Sequence, residues 1–158
     1  MNPNLMERHF NTTTYVADKD SGSFLMIKHK KLGKWLPPGG HIDANEIPDV
    51  AAIREVKEET GLDVELYAEK FPGEQGLSRP YGIQRNIIEE GIHEHLDLIY
   101  LAFVNQGLSL RQNIGETDGI NWFNIEEIEA DDFETFEATR QWCIYFFALI
   151  NKLDENNK

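Results

Sequence analysis

Apolar and polar residues alternate along this chain in short runs, broken by two longer stretches of helical period. Asn11–Asp18 (NTTTYVAD) and Phe24–His29 (FLMIKH) read as strands, and the Lys19–Ser23 turn between them predicts a hairpin. Trp35-Leu36-Pro37-Pro38-Gly39-Gly40 reads as a rigid turn followed by two residues that allow close backbone approach. Pro48 and Asp49 suit a first helical turn, where a missing N–H costs little and a negative charge meets the positive helix end. Val50, Ile53 and Val56, with Ala51 and Ala52, then supply an apolar stripe, and Gly61 suits a helix stop. Asp63–Lys70 is predicted as a strand, with Val64 and Leu66 opposite Asp63, Glu65 and Tyr67. After a Gly- and Pro-containing stretch from Phe71 to Pro80, Tyr81–Ile88 and Ile92–Val104 read as strands paired around Glu89-Glu90-Gly91. Gly107–Gly119 reads as a loop, Ile120–Phe123 as a short strand, Ile125–Ala130 as a short helix and Glu134–Leu153 as a long one. Strands interleaved with two main helices predict an α/β protein, a mixed sheet covered on both faces.

Composition narrows the function classes. A chain of 158 residues, 41% hydrophobic, suits one domain over residues 1–158 with a substantial core. No apolar run approaches the roughly 18 residues that span a bilayer, and the start, MNPNLMERHF, lacks the regions of a secretory signal. The single cysteine, Cys143, excludes an internal disulfide, reads as a packed core residue and fits a cytoplasmic location. A net charge of −13 argues against a nucleic-acid polymer as partner. It also means that a phosphate-bearing small molecule needs a cation to approach.

Three carboxylates point to that cation. Glu55, Glu58 and Glu59 stand at i, i+3 and i+4, so a helix places them on one face. Their mutual repulsion is offset by hard divalent ions such as Mg²⁺, which take oxygen ligands and bridge carboxylates to phosphates. Lys57 points elsewhere. A second constellation is His93-Glu94-His95-Leu96-Asp97, where strand alternation puts His93, His95 and Asp97 on one face. That face reads as the lining of a substrate pocket. The alternatives are a satisfied structural face and, because no third soft ligand is evident, less readily a zinc site. Phe71 and Tyr81 offer flat surfaces for stacking on a base, against a plain packing role.

Gly40, five residues, Glu46, seven residues and Arg54-Glu55-Val56-Lys57-Glu58-Glu59-Thr60-Gly61-Leu62 fill every fixed position of the Nudix box. The preceding LPPGG and the later Trp122-Phe123, followed by Asn124–Ile128, also resemble the Nudix hydrolase superfamily. The box spans 23 residues, Gly40 to Leu62, and compatible elements extend over most of the chain. The resemblance implies a Nudix-type α/β/α sandwich and metal-dependent hydrolysis of a nucleoside diphosphate linked to another moiety. It assigns Mg²⁺ or Mn²⁺ to Glu55, Glu58 and Glu59, with the backbone of Gly39 or Gly40 completing the coordination. Glu46 and Arg54 become a supporting pair. Glu116, in the Asn113–Gly119 loop, takes the place of the loop glutamate that binds a metal or orients the attacking water, with Asp118 as the alternative.

For substrate, the resemblance favours a nucleoside triphosphate or modified nucleotide, in the manner of MutT-like pyrophosphohydrolases. The proline typical of ADP-ribose enzymes is replaced by Leu77, with Pro72 and Pro80 at other offsets, and Tyr81 falls only near the tyrosine of dinucleoside-polyphosphate enzymes. A Nudix-fold binding module without hydrolysis is weighed against intact acids. An isoprenyl diphosphate isomerase is weighed against a cysteine confined to the last helix. The broad apolar surface of that helix, with Trp142, Tyr145, Phe147 and Leu149 beside Cys143, Phe146 and Ile150, leaves a homodimer open.

Overall fold

The central element is β1 (Glu7–Asp18), in which Tyr15 and Ala17 enter one hydrophobic layer and Val16 the other. Burial on both faces explains why its C-terminal half reads as a continuous apolar run. The computed structural model describes residues 6–70, 72–73, 75–105 and 107–156. In chain order β1 is followed by β2 (Phe24–His29), β3 (Trp35–Leu36), β4 (Gly39–His41), α1 (Pro48–Thr60), β5 (Gly82–Glu89), β6 (His93–Val104), β7 (Thr117–Phe123), α2 (Ile125–Glu129) and α3 (Glu137–Glu155). Among the described residues, seven strands form one mixed sheet in the order β3-β2-β1-β6-β5, with β4 added to β1 and β7 to β2. The β1–β6 pair is parallel, from Glu7 opposite His93 to Asp18 opposite Val104, and the other pairs are antiparallel.

On one side of the sheet Tyr15, Phe24, Met26, Ile99 and Leu101 pack against Cys143, Phe146 and Ile150 of α3 and Ile125 and Ile128 of α2. On the other, Val16, Leu25, Tyr100 and Ala102 meet Ala52 and Val56 of α1, with Leu62 and Leu66. Helices therefore cover both faces, and the molecule is an α/β/α sandwich.

Several local expectations change. Asp63–Lys70 is not a strand. Among the described residues it makes only isolated bridges, Leu66 with Ala102 and Lys70 with Ser78, because β5 takes the β6 edge as far as Ile99 and leaves a short stretch beyond it. The α1 stripe is also rotated from the expected one. Val50 and Ile53 are exposed, and the buried face is Ala51, Ala52, Val56, Glu59 and Thr60. A carboxylate is thus carried inward with the alanines. The Trp35–Gly40 turn contains the two short strands β3 and β4, and the Gly107–Gly119 loop ends early because Thr117 opens β7. α3 starts at Glu137 rather than Glu134. The preceding residues hold β3 instead: the Glu134 carbonyl accepts from Trp35 N–H at 2.8 Å, and Thr135 Oγ1 donates to the Trp35 carbonyl at 2.7 Å.

Candidate active site

α1 ends where its geometry demands a glycine. Gly61 adopts the left-handed conformation (φ 78°), and its N–H closes on the Lys57 carbonyl at 2.9 Å. The last two turns before it carry the three box carboxylates. Glu59 is 6% exposed and accepts the Gly39 N–H at 3.0 Å. Burial pushes its carboxyl up to about 8 against that hydrogen bond, and the charges of Glu55, Glu116 and Glu58 add to the rise. Glu55 is also raised by burial, against the Arg54 guanidinium that donates to it at 2.7 Å. Glu58 projects into solvent, 3.3 Å from the same guanidinium.

Arg54 organises this corner. It grips Glu46 with two donors, both at 2.8 Å, and donates to the His41 carbonyl at 3.0 Å. The guanidinium holds the Glu46 carboxyl down at about 2, and Glu46 in turn ties the loop through Asp43 N–H at 3.0 Å. Gly40 lies against Glu55 so closely that a Cβ there would stand 2.6–2.7 Å from its carboxylate and displace it. Glu116 extends the acidic group from another element. Its charge reaches both Glu55 and Glu59, and its loop is closed by Glu116 N–H on the Asn113 carbonyl at 3.1 Å. Four carboxylates from α1 and the loop before β7 therefore share one field beside the Gly39–Gly40 backbone. Asp118, exposed on β7, is not among the charges acting on them.

The opposite face of β4 presents His41 to a second polar region. Register puts His41 beside Asn11, Asn11 beside Asp97, His9 beside His95, and Asp97 and His95 beside Gln84 and Asn86. His93, His95 and Asp97 do share this face, as alternation predicts. Asp97 is pushed up to about 6 by burial, against hydrogen bonds from Asn86 and Thr13. His95 is lowered to about 4 by burial and by His41, His93 and His9. Gln84 accepts from Trp142 Nε1 at 2.7 Å, so α3 borders the region.

Tyr81 is not part of it. It packs on Phe146 at 5.0 Å between ring centroids and lines a separate cleft with Tyr67, Arg79, Phe103 and Tyr145. Phe71, the other aromatic candidate, lies outside the described residues. Sequence reasoning missed His9, Asn11, Gln84 and Asn86. A usable signal was the His9-x-Asn11 alternation, hidden because the strand was expected to begin only at Asn11.

The NUDIX domain family model matches residues 7–147. The crystal structure of a NUDIX-family hydrolase from Clostridium perfringens is 29% identical, with a TM-score of 0.75, over 94% of this chain and 99% of that one. The 8-oxo-dGTP diphosphatase of Proteus vulgaris is 38% identical over 52 residues, 31% of this chain and 46% of that protein. The MutT-like protein of Streptomyces ambofaciens is 39% identical over 51 residues, 32% of this chain and 33% of the relative. The matched segment thus spans less than half the length of either curated relative.

Proposed function

The chain belongs to the NUDIX family, and from that premise we propose that it hydrolyses a diphosphate linkage in a nucleoside triphosphate or modified nucleotide, using Mg²⁺ or Mn²⁺. The observation that carries this reading is the convergence of Glu55, Glu58, Glu59 and Glu116, with Glu59 buried and raised to about 8 among like charges. An all-oxygen donor set under mutual repulsion fits a hard divalent cation. Glu55, Glu58 and Glu59 are the side chains that hold it, with the carbonyl of Gly39 as backbone donor. When bound, the metal offsets diphosphate charge and lowers the pKa of water.

The chain's own residues supply the rest. Gly39 N–H aims Glu59, and Arg54 fixes Glu55 while Glu46 anchors Arg54 to the loop. Glu116 is exposed and free of Arg54, which suits it to take the proton from the attacking water as the phosphorus–oxygen bond breaks. No covalent intermediate is needed. The amides of Asn11, Gln84 and Asn86 with Asp97 offer both donors and acceptors, the complement of a nucleobase edge. His93 and His95 line the same face. Tyr81 remains a stacking candidate only for a group reaching its separate cleft. One continuous sheet from Glu7 to Phe123 supports a single catalytic domain, and the exposed Tyr145 on α3 leaves a surface for a homodimer.

The test is hydrolysis with Mg²⁺ or Mn²⁺ across nucleoside triphosphates, oxidised dGTP, ADP-ribose, nucleotide sugars and dinucleoside polyphosphates, with products separated by chromatography. Glu58→Gln keeps the shape and removes a charge. Its rate should fall at least about a hundredfold, the size of losing one charged contact to the transition state. Turnover unchanged in Glu58→Gln, or none by the wild type with either metal, would overturn the reading.

A further inference from the structure

We propose that His9, His93 and His95 form a second cation site, selective for a borderline d-block ion such as Zn²⁺ and separate from the carboxylates. Parallel pairing of β1 and β6 sets His9 opposite His95, with His93 one step along the same face. One ligating nitrogen from each of the three lies within 4.8 Å of the others, and all three side chains are half-buried. Imidazole suits Zn²⁺ and its neighbours and does not suit Mg²⁺, so the two sites divide by ligand softness. The chain's net charge of −13 favours any cation there.

The spacing fits metal ligation as well as hydrogen bonds between the rings. His9 Nδ1 stands 3.3 Å from His93 Nε2 and 3.1 Å from His41 Nε2. A tetrahedral zinc with bonds of about 2.0–2.1 Å has nitrogens about 3.3 Å apart. His9 Nε2 pairs with Glu7 Oε1 at 2.9 Å, which puts the proton on Nε2 and leaves the Nδ1 lone pair facing the other rings. That single lone pair accepts one N–H, yet two ring nitrogens crowd it. A carboxylate behind a ligating histidine is also the usual outer support of a zinc ligand, and Glu7 provides it.

His95 points the same way. Its Nε2 is buried with no partner, and so is Asn11 Oδ1, although Asn11 Nδ2 lies 3.0 Å from His95 Nδ1. Amide oxygen and nitrogen are assigned from the hydrogen-bond network. Turning the Asn11 amide over lets Oδ1 accept a proton from Nδ1, which leaves the orphaned Nε2 as a bare lone pair for the cation. His41 Nε2 lies 3.1 Å from His9 Nδ1 but is not one of the three mutually close ligands. A cation held this way ties β1 to β6 and fixes one wall of the polar face beside the proposed nucleotide cleft.

The experiment uses the full chain, stripped with chelator and kept in excess Mg²⁺ to fill the carboxylates. Zn²⁺ is titrated in by calorimetry, and retained metal is counted by mass spectrometry after desalting. One equivalent is expected in the wild type and equally in Glu58→Gln. His93→Asn and His9→Gln should weaken it more than about a hundredfold, the upper range for losing a mere supporting partner. No saturable equivalent in the wild type, or unchanged affinity in both histidine variants, overturns the site. Should the substitutions disturb folding, Co²⁺ in the unaltered protein decides. An intense four-coordinate visible spectrum supports the site, and the pale spectrum of six-coordinate oxygen ligation rejects it. Hydrolysis is not read at any step, so the result stands apart from the proposed activity.

Discussion

Glu59 concentrates the electrostatics of the carboxylate group in one side chain. Its ordinary value of 4.5 rises to about 8 in the folded protein, so between these values the native state keeps a proton that the unfolded chain has released. Stability falls with pH wherever the native state binds more protons. Metal-free protein should therefore lose thermal stability as pH rises from about 4.5 to 8, and added Mg²⁺ should restore it most at the upper end. Melting curves with and without chelator check both signs. The three box glutamates were legible because i, i+3, i+4 spacing fixes a helical face without knowledge of the rest. His9 and His41 were not, since strand alternation says which face a residue takes but not which strands lie side by side. Their meeting depends on β1 joining β6 and β4, a pairing between distant segments.

At the scale of elements, the α1 terminus shows how closely backbone and site are joined. Gly61 sits at φ 78°, and a Cβ there would stand 2.8 Å from the Cβ of Arg111. Gly61→Ala adds left-handed strain to that clash and should cost about 1–3 kcal/mol, measured by urea denaturation. The helix and its stop were visible from Pro48 and Gly61. Its rotation was not: Val50 and Ile53 look like core residues, yet small Ala51 and Ala52 face the sheet because they let the helix approach closely. The strand expected over Asp63–Lys70 failed for a related reason. Val64 and Leu66 do pack into the core, but inward side chains do not require a continuous ladder. Backbone partners were the missing information, and β5 had already taken most of the available edge.

Across the whole molecule, the aromatic layer under α3 connects the polar face to the core. Phe146 is fully buried; it stacks with Trp142 at 5.5 Å, meets Tyr15 at a tilt at 5.2 Å and Tyr81 edge-on at 5.0 Å. Phe146→Ala should cost about 3–5 kcal/mol, seen as a lower denaturation midpoint. Trp142 holds Gln84 through its indole N–H, so substrate KM should rise in the same variant. The parallel β1–β6 pair has a further consequence, in the order of folding. Its partners lie 86 positions apart throughout, from Glu7–His93 to Asp18–Val104, whereas β5 and β6 join through a tight hairpin. Closing so long a loop is entropically slow, and sheets dominated by such contacts fold in milliseconds to seconds rather than microseconds. The β5–β6 hairpin closes only a short loop, and it carries Gln84, Asn86, His95 and Asp97, one half of the polar face. The other half, His9 and Asn11, comes with β1, so the polar face is whole only after a pairing across 86 positions has closed.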